Sequence, residues 1–208
     1  MVHIKICGLT RVEDALEAVS AGADALGLNF FRGSPRCVSQ ELAKAIVDAV
    51  AERALTVGVF VDTATEEIQQ LQASVGFRCV QFHGAEPPED VARFLPHAYK
   101  ALRVRGPQVI DEARRFPGEH ILLDAYVPDQ VGGTGATFDW QLAAQIARER
   151  KVTLAGGLNP GNVAEAIAAV RPFCVDVASG VESSPGIKDR NLIINFVNAV
   201  REVSASRT

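Results

Sequence analysis

Residues 152–181 read VTLAGGLNPGNVAEAIAAVRPFCVDVASGV, and this stretch contains one complete unit of a pattern that recurs along the chain. Its two short apolar runs, at 152–155 and 174–177, are predicted β-strands. Asn159 followed by Pro160 predicts the start of an intervening helix, because asparagine caps a first turn and proline fits the first helical position. The stretch therefore predicts a strand–helix–strand unit.

The same alternation extends over the whole chain. Segments with apolar residues at i, i+3, i+4 and i+7 separate nearly continuous apolar strands, which indicates a parallel sheet covered on its outer face. Thr10 and Ser39 are predicted to cap the first two helices. Because closure leaves no unpaired edge strand, the eight units favour a single-domain α/β fold, a (β/α)8 TIM barrel over residues 1–208. The alternative, an open doubly wound sheet, lacks its G-x-G-x-x-G turn after the first strand. The predicted strands are 4–7, 25–30, 55–61, 79–82, 99–104, 121–124, 152–155 and 174–177.

The composition argues against several classes of protein. The net charge is −4 and the basic residues are scattered, so we expect no nucleic-acid partner. No apolar stretch approaches the roughly 18 residues of a membrane span, so we expect no membrane partner. The N-terminus lacks a secretory pattern, which predicts a cytoplasmic protein. The four cysteines are far apart, which argues against disulfides and against a zinc site.

The loops after the last two predicted strands are rich in glycine. In (β/α)8 barrels the active site lies at the C-terminal ends of the strands, and the loops after strands seven and eight often bind phosphate through backbone N–H groups. Gly156 and Gly157 follow the seventh strand, and Ser179 and Gly180 follow the eighth. Ordinary tight turns would explain one such pair, but two pairs at these strand ends favour a phosphate site.

Three polar side chains also stand at predicted strand ends. Cys7 ends the first strand, where a thiol can serve in proton transfer, although strand cysteines are more often core residues. Asp124 follows three apolar residues, so it is either a paired buried carboxylate or a general acid. His83 ends the fourth strand, whereas the other histidines lie at or before strand starts and are predicted to be structural. No cluster with metal-ligand spacing and no nucleotide loop occurs, so we expect neither a metal nor a cofactor.

These residues lie in motifs that resemble the phosphoribosylanthranilate isomerase family of tryptophan biosynthesis along nearly the whole chain. The order and spacing of the motifs carry the resemblance, since each one alone is weakly specific. They are KICGLT (5–10), GADALG (22–27), SPR (34–36), GVFV (58–61), QFHG (81–84), LLD (122–124), GGTG (132–135), FDW (138–140), AGGLNP (155–160), VDVASGVE (175–182) and PGIKD (185–189).

The resemblance implies an enzyme that rearranges N-(5-phosphoribosyl)anthranilate to the 1-deoxyribulose phosphate without a cofactor. Asp124 would protonate the ring oxygen as the acid, and Cys7 would remove the C2′ proton as the base. Arg36 would face the anthranilate carboxylate, where its planar fork suits bidentate binding. His83 and Asp176 would line the site.

The resemblance further implies a mobile loop over the substrate at 132–137, and leaves monomer and homodimer open. One departure from the family pattern is Cys37, where a tyrosine is usual, and another is Phe82, where leucine is commoner. Both leave open how the aromatic ring of the substrate packs.

Two other functions are compatible with such a barrel. The histidine-pathway aminoaldose isomerase performs the same rearrangement, but it uses aspartate as both acid and base and tends to carry an internal repeat, so the thiol speaks against it. A catalytically silent barrel that only binds a phosphorylated ligand would need neither Cys7 nor Asp124.

Overall fold

A computed structural model of the chain describes residues 1–124 and 140–205, and it contains a closed barrel of eight parallel strands. Each strand pairs with the next along the chain, and the first pairs with the eighth to close the sheet. The predicted barrel is therefore confirmed, and the predicted strands agree with the observed ones to within a residue or so. The strands are β1 (His3–Cys7), β2 (Ala25–Asn29), β3 (Leu55–Phe60), β4 (Cys79–Phe82), β5 (Ala98–Arg103), β6 (His120–Asp124), β7 (Lys151–Ala155) and β8 (Cys174–Val177).

Helices cover the outside of the barrel. Two of them, α4 (Pro88–Ala92) and α5 (Val109–Arg115), are too short to show a helical period in the sequence. After β8 the chain forms a 3-10 turn, Ser179–Val181, and a small hairpin of β9 (Glu182–Ser184) and β10 (Ile187–Lys188). The helices are α1 (Val12–Ala21), α2 (Gln40–Val50), α3 (Thr65–Val75), α4 (Pro88–Ala92), α5 (Val109–Arg115), α6 (Trp140–Ala147), α7 (Val163–Val170) and α8 (Arg190–Ala205).

Of the three predicted helix caps, one is correct. The Ser39 side chain accepts the N–H of Leu42, as predicted for the start of α2. The prediction for Thr10 was wrong, because its hydroxyl donates to the carbonyl of Gly186 and α1 begins without a side-chain cap. The prediction for Asn159 was also wrong: its Oδ1 accepts the N–H of Gly161 at 2.8 Å and closes a turn, and α7 begins only at Val163.

The apolar core lies mainly between the barrel and its helices. Large side chains such as Phe60, Phe82 and Phe196 are fully buried there, and each contributes about 1.5–3 kcal/mol through burial. Inside the barrel a second, smaller apolar cluster alternates with polar side chains. Its members are Ala25, Val57, Cys79, Tyr99, Ala101, Leu122 and Ala155.

His120 packs and hydrogen-bonds at the N-terminal end of the barrel, beside a cavity of about 680 Å³. His120 lies 4.3 Å from Tyr99, ring centroid to ring centroid, and its Nε2 is 2.6 Å from the hydroxyl of Thr153. Burial lowers the pKa of His120 to about 4. These contacts agree with the structural role predicted for this histidine.

None of the helices in the described ranges is both long and apolar enough to cross a membrane.

Candidate active site

The polar strand-end residues meet at the C-terminal mouth of the barrel. Cys7 ends β1, Asp124 ends β6 and His83 directly follows β4. Because all eight strands run in the same direction, their C-terminal ends face the same mouth. The Cys7 thiol, the Asp124 carboxyl and the His83 imidazole therefore lie at the ends of strands that surround one mouth.

The Cys7 thiol occupies space that Gly27 leaves open. The two residues are register partners on β1 and β2. A Cβ atom added to Gly27 would lie 2.5 Å from the Sγ of Cys7 and 3.1 Å from its backbone Cα. Gly27 is thus the residue that allows a side chain of this size at the end of β1, a role that nothing in its sequence position indicated.

Burial and two lysines act in opposite directions on the Cys7 thiol. Burial raises the pKa of Cys7, while Lys5 and Lys188 lower it and the Asp176 carboxylate raises it further. The net result is a pKa above the ordinary value, so the thiol form dominates at neutral pH. A nearby cation by itself favours the thiolate form. The cations are present, but burial outweighs them.

Lys188 ties the ends of β1 and β8 together. Its buried Nζ donates to the carbonyl of Cys7 at 2.6 Å, to the carbonyl of Ala178 at 3.1 Å and to Glu182 Oε1 at 2.8 Å. Burial lowers the pKa of Lys188, and the Glu182 carboxylate counteracts that effect. The β9–β10 hairpin therefore places a positive charge beneath the mouth and fixes the backbone that carries the thiol.

Arg36 is held by a carboxylate of the same hairpin. Its Nε donates to Glu182 Oε1 at 2.8 Å and its Nη2 to Oε2 at 2.6 Å, a bidentate pair. Gly8 makes this possible, since its φ is +72° and an added Cβ would lie 2.5 Å from the Cδ of Arg36. One edge of the guanidinium is thus already used, and a substrate carboxylate could engage only the Nη1 side.

Asp124 and His83 form a pair across the mouth. His83 Nε2 lies 3.3 Å from Asp124 Oδ2, and the side chains are 23% and 18% exposed, so both remain accessible to a ligand. A cavity of about 380 Å³ opens beside His83 and is lined in part by Gly84 and Arg103. Arg103 is the register partner of Asp124 on β5 and was missed in the sequence.

Asp176 lies one layer deeper in the barrel than the mouth residues. It is the register partner of Lys5, and Lys5 Nζ donates to its Oδ2 at 2.8 Å. Its Oδ1 is buried and, within the described residues, has no hydrogen-bond partner. A buried carboxylate oxygen normally has a donor, so a ligand hydroxyl that reached this depth would supply one.

The glycine loops after β7 and β8 adjoin each other. A Cβ added to Gly180 would overlap the carbonyl oxygen of Leu158, so only glycine allows the two loops to pack this closely. Gly156 and Gly157 have φ of +92° and +66°. No atom of the described residues lies within 4 Å of a Cβ built on Gly157. The space above its backbone is therefore open to an anion, while Ser179 opens the adjacent 3-10 turn.

The predicted loop at 132–137 lies outside the described residues. Among residues 1–124 and 140–205 there is no group of three or more His, Cys, Asp or Glu side chains that could hold a metal ion.

Two further polar residues of the site carry a weak signal in the sequence. Lys5 interrupts an apolar strand between two isoleucines, and Gln81 does the same between Val80 and Phe82. A polar residue in such a position points into the barrel with the strand-end residue two positions later. That alternation links Lys5 to Cys7 and Gln81 to His83.

Comparison with known proteins agrees with this geometry. Residues 4–199 match the sequence model of a family described as N-(5′-phosphoribosyl)anthranilate (PRA) isomerase. An N-(5′-phosphoribosyl)anthranilate isomerase of Geobacter sp. (strain M21) is 44% identical over 204 residues, covering 98% of this chain and 100% of that protein.

The barrel is also similar to solved structures. A crystal structure of phosphoribosyl anthranilate isomerase from Thermotoga maritima has a TM-score of 0.89 and 42% identity, covering 97% of this chain and 100% of that one. A crystal structure of such an isomerase in complex with reduced 1-(o-carboxyphenylamino)-1-deoxyribulose 5-phosphate has a TM-score of 0.86 and 39% identity, with 97% and 100% coverage. These proteins share both the length and the architecture of this chain.

Proposed function

The chain belongs to the N-(5′-phosphoribosyl)anthranilate isomerase family, and we propose that it catalyses this isomerisation by general acid–base catalysis, with Asp124 as the acid and Cys7 as the base. The reaction is the Amadori rearrangement of N-(5′-phosphoribosyl)anthranilate to 1-(2-carboxyphenylamino)-1-deoxyribulose 5-phosphate, a step of tryptophan biosynthesis. The observation that carries the proposal is the position of the thiol and the carboxyl at one mouth, next to two glycine loops.

Asp124 acts in the first step. It donates its proton to the ring oxygen of the phosphoribosyl group, and the C1′–O bond breaks to give an open-chain Schiff base. The carboxylate that remains lies 3.3 Å from Nε2 of His83, a distance at which an N–H donor stabilises the new charge.

Cys7 acts in the second step. Its thiolate removes the proton from C2′, and the electron pair of the C–H bond shifts to the Schiff base to give an enolamine that tautomerises to the ketone. Lys5 and Lys188 favour the charged form of the sulfur, even though burial opposes it.

We propose the cytoplasm as the compartment of this protein, because reducing conditions there keep a thiol free of disulfide bonds.

The remaining site residues hold the substrate. The phosphate would accept hydrogen bonds from the backbone around Gly156, Gly157, Ser179 and Gly180, in the manner common to barrels of this type. The anthranilate carboxylate would approach Arg36 from the Nη1 side, since Glu182 holds the other edge. A sugar hydroxyl would donate to Oδ1 of Asp176.

Turnover of freshly prepared N-(5′-phosphoribosyl)anthranilate tests the proposal. The purified protein is expected to consume the substrate in a fluorescence-monitored assay, without added metal or cofactor. The aminoaldose substrate of the histidine pathway serves as the comparison. Activity on that compound alone would replace the proposed function, and tight binding of phosphorylated ligands without turnover would indicate a silent barrel.

The pH dependence of kcat/KM should report the raised pKa of Cys7. The reactive form carries a proton on Asp124 and none on Cys7, so these two groups together hold one proton. Because burial raises the pKa of Cys7, the second proton loss that destroys this form should occur above the ordinary pKa of a cysteine thiol. We therefore expect kcat/KM to fall only in the alkaline range.

A profile from about pH 5 to 10 measures this effect. In a Cys7→Ser variant the residual activity should lose the alkaline limb that belongs to the thiol. An alkaline limb close to neutrality in the parent protein would mean that the lysines outweigh burial, contrary to the expected direction.

A further inference from the structure

We propose that Gln81 is a positioning residue that fixes the tautomer of His83, so that the Nε2–H of this histidine always points at Asp124. The consequence for catalysis rests on the proposed function, whereas the tautomer itself can be tested without substrate. The argument concerns a chain of hydrogen bonds inside the barrel, which we call the relay: Asp176, Lys5, Gln81, His83 and Asp124.

The orientation of the Gln81 amide follows from its two neighbours below. Lys5 Nζ donates to Gln81 Oε1 at 2.9 Å and the Tyr99 hydroxyl donates to the same oxygen at 3.0 Å. A lysine ammonium has only donors to offer, and the second contact uses the one proton of the phenol. Asp176 accepts a further Lys5 hydrogen bond at 2.8 Å, and burial raises the pKa of Tyr99, so the phenol keeps its proton. The lysine contact therefore requires the amide oxygen at this position, and the phenol proton can donate to the same oxygen.

With its oxygen occupied, Gln81 presents its amide nitrogen to His83. Gln81 Nε2 lies 2.8 Å from His83 Nδ1. An amide nitrogen only donates, so Nδ1 must be the acceptor and the ring proton resides on Nε2. Nε2 lies 3.3 Å from Asp124 Oδ2 and donates to it. The other tautomer would set two N–H groups against each other at Nδ1 and leave Asp124 facing a lone pair.

This assignment gives His83 a defined part in the reaction. A histidine with its proton on Nε2 cannot accept the proton that Asp124 delivers, so it does not compete with the substrate. It donates a hydrogen bond that strengthens when Asp124 becomes a carboxylate, because hydrogen bonds to charged acceptors are the stronger ones. Gln81 touches no reacting atom and acts only through His83, as second-sphere partners of imidazoles commonly do.

Nitrogen-15 NMR of the imidazole side chains tests the tautomer directly. The spectrum distinguishes protonated from unprotonated ring nitrogens, and loss of one signal set in His83→Gln assigns His83. We expect Nε2–H in the parent protein. In Gln81→Glu, which still accepts from Lys5 and Tyr99, the group facing Nδ1 becomes an acceptor, and Nδ1 should become protonated.

A matched control breaks a polar contact elsewhere in the barrel. Thr153→Val removes the partner of His120 at the N-terminal end, and it should leave both the His83 signals and turnover unchanged. An Nδ1–H tautomer in the parent protein, or His83 signals that are the same in Gln81→Glu, would overturn the proposal. Circular dichroism of each variant shows whether the barrel is folded.

A double-mutant cycle tests the catalytic consequence. Gln81→Met should lower kcat by about tenfold with little change in KM, because the acid loses its fixed donor but the binding groups stay in place. In a His83→Gln background the introduced amide nitrogen replaces the imidazole Nε2–H as the donor to Asp124. An amide has no tautomers, so Gln81 has nothing to fix. Gln81→Met should then have almost no further effect on kcat.

The outcomes of this cycle separate the relay from the function. Equal losses of kcat in both backgrounds would mean that Gln81 does not act through His83, which would refute the positioning role. If the parent protein shows the expected tautomer but does not turn over phosphoribosylanthranilate, the proposed function fails while the assignment of the tautomer stands.

Discussion

Replacing Cys7 by serine is expected to lower kcat by at least about 10³-fold while the barrel stays folded. The substitution exchanges sulfur for oxygen at nearly the same size, so the space left by Gly27 still accommodates the side chain. A serine hydroxyl, however, cannot lose its proton near neutral pH, and the lysines below it cannot change this. The loss should appear in kcat and leave KM within a few-fold, since the thiol contributes to the transition state and not to binding.

The same exchange at the opposite end of the barrel provides the control. Cys174 lies at the start of β8, is buried and contacts the carbonyl of Val175 through its sulfur. Cys174→Ser buries a more polar hydroxyl in place of the thiol and should reduce the free energy of unfolding, but kcat of the folded protein should not change. Normal turnover by Cys7→Ser would show that another group is the base.

The sequence was sufficient to predict the barrel because its strands are dictated locally. Each strand is a short apolar run, and such runs are buried on both faces when helices cover the sheet. The strand-end rule then placed Cys7, His83 and Asp124 at one mouth without any knowledge of contacts. The starts of the helices were harder to predict from the sequence. Thr10 and Asn159 are typical capping residues, but their side chains form hydrogen bonds with the backbone of Gly186 and Gly161 instead.

The contacts that organise the site join residues far apart in the sequence. Glu182 reaches Arg36 across 146 residues, and Lys188 reaches Cys7 across 181. No local pattern indicates such pairs, because a charged residue in a hairpin has the same sequence signature whether it faces solvent or a buried partner. Glycines pose the same difficulty: Gly27 and Gly180 are required by what approaches them, and only the assembled barrel reveals those atoms.

The direction of the pKa shift of Cys7 could not be predicted from the sequence either. Lys5 and Lys188 could have made Cys7 a thiolate, and a count of nearby charges would favour that result. Burial of the sulfur acts the other way and prevails, so the base rests in its protonated form. Two opposing contributions to a pKa cannot be ranked without the burial of each group.

Replacing Asp124 by asparagine is expected to have the largest effect of any single substitution, a loss of kcat of about 10³- to 10⁴-fold. Asparagine has the same shape, and its amide oxygen can still accept the Nε2–H of His83. It has no proton that it can transfer to a ring oxygen, so ring opening would depend on water. The rest of the relay, from Asp176 to His83, is left intact, and thermal unfolding should therefore change little.

Asp24→Asn is the matched control for this substitution. The Asp24 carboxylate accepts the N–H of Ile4 at 2.8 Å and an Arg201 N–H at 3.1 Å near the N-terminal end of the barrel. Asp24→Asn should lower the free energy of unfolding and leave kcat unchanged, whereas Asp124→Asn should lower kcat and leave thermal unfolding nearly unchanged.

Pre-steady-state fluorescence can identify the blocked step. The Asp124→Asn variant should bind substrate and fail before the Schiff base forms. If Asp124→Asn retained kcat within about tenfold of the parent protein, the acid would have to be sought among the other groups at the mouth, and His83 would be the first to be replaced.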